Sequence, residues 1–129
     1  MISSSVRIAA PPEVVFPYFT DPHLLVTWIG ERAELDARPG GTFAVDFGET
    51  AARGSYVAVE EPHRVIFTWG IPGDAAMPPG SSTVEVELVA DGVDTIVNLT
   101  HRDLPADREP SHEEGWEECL TKLSAALSG

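Results

Sequence analysis

Positive charge is what this chain has least of. Lys122 is its only lysine, and seven arginines scattered singly between Arg7 and Arg108 complete the basic set, against 21 acidic residues and a formal net charge of -13. A nucleic-acid backbone is held by clustered Lys and Arg that release counterions, so no nucleic acid is expected as a partner. The same field repels an anionic lipid surface. Cys119 is the only cysteine, which leaves no intrachain disulfide to be made; a reducing, cytoplasmic setting is the simpler expectation. No apolar run approaches the ~18 residues of a membrane-crossing helix. The start, MISSSVRIAAPPEVVF, lacks the basic opening and long apolar stretch of an export signal. No Gly-x-Ser-x-Gly elbow is present, and Gly40-Gly41 lies between strands rather than before a helix, which makes it a turn and no phosphate cradle. No cofactor is expected.

What is present reads as one domain over residues 1–129. ISSSVRIA is a first strand, stopped by Pro11 and Pro12, which suit the first turn of a helix. Val15, Phe16 and Phe19 follow at helical spacing, with Pro17 shortening or kinking that helix. DPHLLVTWIG reads as a second short helix, with Asp21 as N-cap and Pro22 at the first helical position. From 33 to 101 the period becomes two. AELDA and TFAVDF flank a Pro-Gly-Gly turn, GSYVAVEE and HRVIFTWG flank Pro62, and STVEVELVA and TIVNLTHR flank Asp91-Gly92, giving three hairpins. Parity turns inward Phe43, Val45 and Phe47; Val57 and Val59; Val65, Phe67 and Trp69; Val84, Val86 and Leu88; and Val97, Leu99 and His101. The Pro/Gly-rich stretch 71–82 is long enough to fold over an opening as a lid, with Gly73 and Gly80 as hinges.

SHEEGWEECLTKL, residues 111–123, concentrates a histidine, four glutamates and the cysteine. Ser111 with Glu114 fits a capping box, so a helix is expected over 112–127. His112, Trp116, Cys119, Leu120, Leu123 and Leu127 then share one stripe, and the glutamates face water. His112 and Cys119 stand seven residues apart, about 10.5 Å along the axis, whereas zinc bonds are about 2.0 to 2.3 Å long, so no metal site is expected.

Six or seven antiparallel strands of about 4.8 Å spacing make a sheet roughly 30 Å wide, whereas a helix is only about 10 to 12 Å across. One helix cannot cover such a sheet if it is flat. Either the sheet curls round the helix or the two short helices fill the gap, and space left over is an apolar pocket. The order of elements, with "ARPGGTF", "HRVIFTW", "LTHRDL" and "HEEGW", resembles the domain named after the activator of Hsp-90 ATPase, in the SRPBCC or START-like superfamily, from Val6 to about Leu127. The resemblance implies an α+β helix-grip fold: a curved antiparallel sheet of six to seven strands wrapped round a long C-terminal helix, with two short helices after the first strand. It also implies a cavity between sheet and helix that in many relatives binds apolar small molecules such as lipids or polyketides.

Three functions follow as expectations. The first is binding of a small apolar molecule, with Trp28, Phe47, Phe67, Trp69, Val86, Leu99, His101 and Trp116 as contacts. The second is a chaperone-linked protein-interaction module. The third is a cyclase- or dehydratase-like enzyme using His101 and His112, whose imidazoles titrate near neutrality. The alternative role for both histidines is local hydrogen bonding that anchors the strand-to-helix loop. Exposed edge strands allow a monomer or a homodimer.

Overall fold

Pro12 begins a helix that Pro17 cuts short. In a computed structural model, which describes residues 1–128, helix α1 (Pro12–Val15) passes into a 3-10 turn over Phe16–Phe19. Helix α2 (Pro22–Leu25) starts as expected, with the Asp21 carboxylate accepting from the His23 backbone N–H at 2.9 Å. The strands are β1 (Ile2–Ile8), β2 (Arg32–Leu35), β3 (Thr42–Asp46), β4 (Ala51–Glu60), β5 (Arg64–Trp69), β6 (Ser82–Asp91) and β7 (Asp94–Arg102). They form one antiparallel sheet in the order β1-β7-β6-β5-β4-β3-β2. Helix α3 (Glu109–Leu127) closes the fold, so the α+β helix-grip architecture is confirmed, with seven strands.

Three expectations need correction. Val57 does not face inward: it is 51% exposed, because the ladder between β4 and β5 shifts between Tyr56 and Ala58 and turns Tyr56 into the core instead. A bulge of this kind reverses the parity of the residues beside it. Strand β4 begins at Ala51, three residues before the expected start, because Ala51, Ala52 and Arg53 pair with β3. The capping box is absent as well. A 3-10 turn over Ala106–Arg108 leads directly into α3, Arg108 occupies the N-cap position, and the Ser111 hydroxyl donates to the Arg108 carbonyl at 3.1 Å. Pro110 explains the earlier start, since a proline in the first turn loses no intrahelical hydrogen bond.

The core fills the hollow of the sheet with rings. Phe43 stacks on Phe67 with centroids 3.9 Å apart, and Tyr56 meets Phe43 edge-on at 5.6 Å. Tyr56 also ties the short helices to the sheet, its hydroxyl donating to the Phe19 carbonyl at 2.8 Å. Where β4 crosses β5, Gly54 is required by space: a Cβ there would lie 2.0 Å from the Thr68 carbonyl oxygen. On α3, Trp116, Leu120 and Leu123 are buried, whereas Glu113, Glu114, Glu117 and Glu118 face solvent.

Candidate functional site

Trp69 ends β5, His101 lies near the end of β7 and Trp116 sits on α3, and all three meet at one end of the sheet. The ring centroids of Trp69 and Trp116 are 5.1 Å apart, and those of Trp69 and His101 5.8 Å. His101 is fully buried. Its Nδ1 lies 3.0 Å from Trp116 Nε1, and its Nε2 lies 2.9 Å from Ser82 Oγ, which is itself 2.7 Å from the Trp69 carbonyl. The direction of every bond in this chain is forced. An indole N–H only donates and a carbonyl only accepts, so Nδ1 accepts from Trp116, Ser82 donates to Trp69, and Nε2–H donates to Ser82. His101 is therefore the neutral Nε2–H tautomer, with both nitrogens occupied.

Burial, and then the charge of His112, push the His101 pKa down to about 3. An imidazole with no free lone pair and such a low affinity for protons does not serve as a general base near neutrality. The expected pairing of His101 with His112 is present in space, with ring centroids 5.5 Å apart and edge to face. His112 Nδ1–H is directed to the Arg108 carbonyl at 3.0 Å, one helical turn back.

Beside this chain lies a cavity of about 150 Å³. Its wall is made by Ile29, Phe47, Trp69, Trp116 and Cys119, with Gly115 in the helix and Ser111 and His112 at the rim. Of the residues expected as ligand contacts, Phe47, Trp69 and Trp116 are on the wall. Phe67, Val86 and Leu99 are buried in the core away from it, and His101 stands behind Trp116 rather than on the wall. Trp28 is also in the core: it packs on Phe19 with centroids 5.1 Å apart and donates to the Tyr18 carbonyl at 2.9 Å.

Five lining residues were not among the contacts expected from the sequence, and one of them, His112, was expected only as a catalytic candidate. Ile29 gives no signal, because it sits in an irregular stretch after α2. Gly115 does give one, since a glycine inside a helix costs about 1 kcal/mol relative to alanine, and a Cβ at Gly115 meets nothing within 4 Å. Cys119 follows from the helical stripe once Trp116 is placed, whereas Ser111 lies about 140° round the helix from Trp116 and carries no such signal. The Cys119 thiol is no ready nucleophile, because burial raises its pKa. Among the described residues no three His, Cys, Asp or Glu side chains gather as a metal site would require.

The loop 71–81 is fastened rather than free to act as a lid. Met77 is fully buried, Ile71 N–H donates to the Met77 carbonyl at 2.7 Å, and Asp74 forms a two-pronged ion pair with Arg108 at the start of α3. Arg108 in turn holds the Asp74 carboxyl below its usual range.

The depressed His101 makes stability sensitive to acid. The unfolded chain takes up a proton near pH 6.5 and the folded chain does not until about pH 3, so this contribution is complete above 6.5 and is lost as the pH falls. Between pH 7 and 5, above the range in which Asp74 and Glu60 titrate, unfolding free energy should fall by about 2 kcal/mol. Chemical denaturation across that window measures it. His101→Gln should be less stable at pH 7 but nearly flat, whereas a parent protein of constant stability would show that His101 protonates without leaving the fold.

The chain matches the family described as Activator of Hsp90 ATPase homolog 1-like protein over residues 9–128. An AHSA1-like protein of Rhizobium etli, solved by NMR, is 40% identical, with a TM-score of 0.73 over 99% of this chain and 84% of that one. An HSP90 activator from Plasmodium falciparum is 26% identical, with a TM-score of 0.80 over 98% of this chain and 94% of the other. An uncharacterized protein of Schizosaccharomyces pombe is 26% identical over 98 residues, 76% of this chain, which spans 27% of that relative's length. No helix among the described residues is long and apolar enough to cross a membrane. With the match running from the end of β1 to the end of α3, this chain belongs to the Activator of Hsp90 ATPase homolog 1-like family.

Proposed function

We propose that the protein binds a small apolar molecule in the cavity between the sheet and α3, with Phe47, Trp69 and Trp116 as its principal contacts. The observation that carries this reading is the cavity wall itself: an indole pair, a phenyl ring and Ile29 line about 150 Å³ of space, open to solvent, beside a helix that has a glycine at that point. Apolar cavities of about this size hold a single aromatic ring. Of the lipid- and polyketide-like molecules that bind in related folds, the volume favours a compact ring over a long acyl chain.

Gly115 supports the same reading. Alanine or leucine there would strengthen the helix by about 1 kcal/mol, so the glycine keeps space open at the expense of stability. Native mass spectrometry of freshly purified protein, set against its denatured mass, should show an adduct that denaturation removes. Gly115→Leu, whose side chain enters the open space, should lose the adduct while melting no lower than the parent. An adduct that persists in Gly115→Leu, or none in the parent, contradicts the reading.

A second reading, a chaperone-linked interaction module, is supported by the likeness to a protein described as an HSP90 activator. It places the contact on the exposed acidic face of α3, where Glu113 and Glu117 point to solvent. Capture of Hsp90 by the parent and its loss in Glu113→Lys/Glu117→Lys is the expected outcome on that reading. No capture by the parent removes it.

A further inference from the structure

Ser111 and His112, at the rim of the cavity, aim their donors at the same backbone carbonyl. The Ser111 hydroxyl donates to the Arg108 oxygen at 3.1 Å, and His112 Nδ1 lies 3.0 Å from that oxygen. A carbonyl only accepts, so Nδ1 carries the proton, and in a neutral imidazole Nε2 is then bare. His112 thus has the opposite tautomer to His101. Turning its ring over would replace the Nδ1–H by a carbon, and the His101 ring, edge to face with a centroid 5.5 Å away, packs against it. Among the described residues no protein group bonds to His112 Nε2, and the one buried side-chain nitrogen or oxygen without a partner is Trp69 Nε1. His112 is half-buried, so its Nε2 keeps accessible surface. The rim therefore offers a guest two acceptors, His112 Nε2 and the Ser111 oxygen, with the donors of both already used.

We infer that the molecule held in the cavity is a single ring bearing a hydroxyl, and that this hydroxyl donates to His112 Nε2 at the rim. The inference rests on the reading of the cavity as a binding site and adds the chemical group that the rim selects. About 150 Å³ takes the ring, and the substituent stays at the opening, where water reaches it.

Other polar groups fit the rim less well. A carboxylate or a ketone brings acceptors to acceptors, and a carboxylate also meets a chain of formal charge -13. An ammonium brings three donors and a charge that is costly to strip of water. A hydroxyl gives one proton to one imidazole nitrogen and keeps its lone pairs for solvent. A hydrocarbon of the same outline fills the space but leaves Nε2 to water, so the rim adds to affinity only for a donor.

Phenol and toluene test this, because they share ring and outline and only phenol has a proton to donate. Each is titrated into protein carrying nitrogen-15 histidine at about pH 8.5, where an imidazole is neutral and a phenol keeps its proton. Before addition, long-range proton–nitrogen NMR should show His112 with Nδ1 protonated and Nε2 bare. Phenol should move the Nε2 signal towards the position of an N–H nitrogen, and toluene should not. His112→Phe should weaken phenol about fivefold and leave toluene unchanged. A proton found on Nε2 in the free protein, or binding of both compounds with an unmoved Nε2, overturns the inference and leaves the cavity reading standing. No perturbation of any cavity residue by either compound overturns both. If His112→Phe fails to fold, the titration of the parent protein decides.

Discussion

The imidazole of His101 is held between two groups that can each act in only one direction. Trp116 must donate to it, and Ser82, already committed to the Trp69 carbonyl, must accept from it. This fixes the tautomer without any ionised group, and it fixes more than the histidine. Through His101 the β7 strand grips the α3 indole, and through Ser82 it grips the end of β5. The helix is thereby set across the sheet at one rotation, with Trp116 packed on Trp69 beside the cavity. Desolvation, which depresses the His101 pKa, is the cost of placing this polar joint in the core, and complete hydrogen bonding is what offsets it.

The same joint stands apart from the cavity. His101 lies behind the wall, which is mostly apolar and is formed by Ile29, Phe47, Trp69, Trp116 and Cys119. The rest of the hollow is occupied by protein: Phe43 on Phe67, Tyr56 against both, and Phe19 against Trp28. The width of sheet that one helix cannot cover is thus filled in three ways. The sheet curves, the two short helices close one part, and core aromatics fill most of what is left. The cavity is the remainder, and its position is set by Gly115, where α3 has no side chain to fill it.

Much of this arrangement was legible in the sequence, and the exceptions have physical causes. Period-two patterning and three turn signals located the hairpins because each strand has one wet face, which makes parity informative. The pattern failed at Val57, where a bulge between Tyr56 and Ala58 moves the chain by one residue with no residue type to mark it. It also failed at the start of α3. Ser111 and Glu114 fit the pattern of a capping box, but Pro110 and the 3-10 turn before it had already begun the helix. Parity placed His101 in the core, whereas its bonding depends on Ser82 and Trp116, nineteen and fifteen residues away in sequence, and those distances are set by the fold alone. Some of the expected contacts lie deeper than the cavity wall for a related reason. Phe67, Val86 and Leu99 face inward as expected, yet inward positions in the middle of a sheet belong to the core, and only those near the end of the sheet by α3 reach the cavity.

The central claim is that a neutral, doubly bonded His101 holds the two tryptophans around the cavity. Long-range proton–nitrogen NMR of histidine-labelled protein, followed from pH 7 to 4.5, tests it most directly. The expected result is a His101 pattern with Nε2 protonated and Nδ1 bare that persists unchanged wherever the protein stays folded. A His101 that titrates near pH 6.5 in the folded protein, or that carries its proton on Nδ1, would contradict the claim.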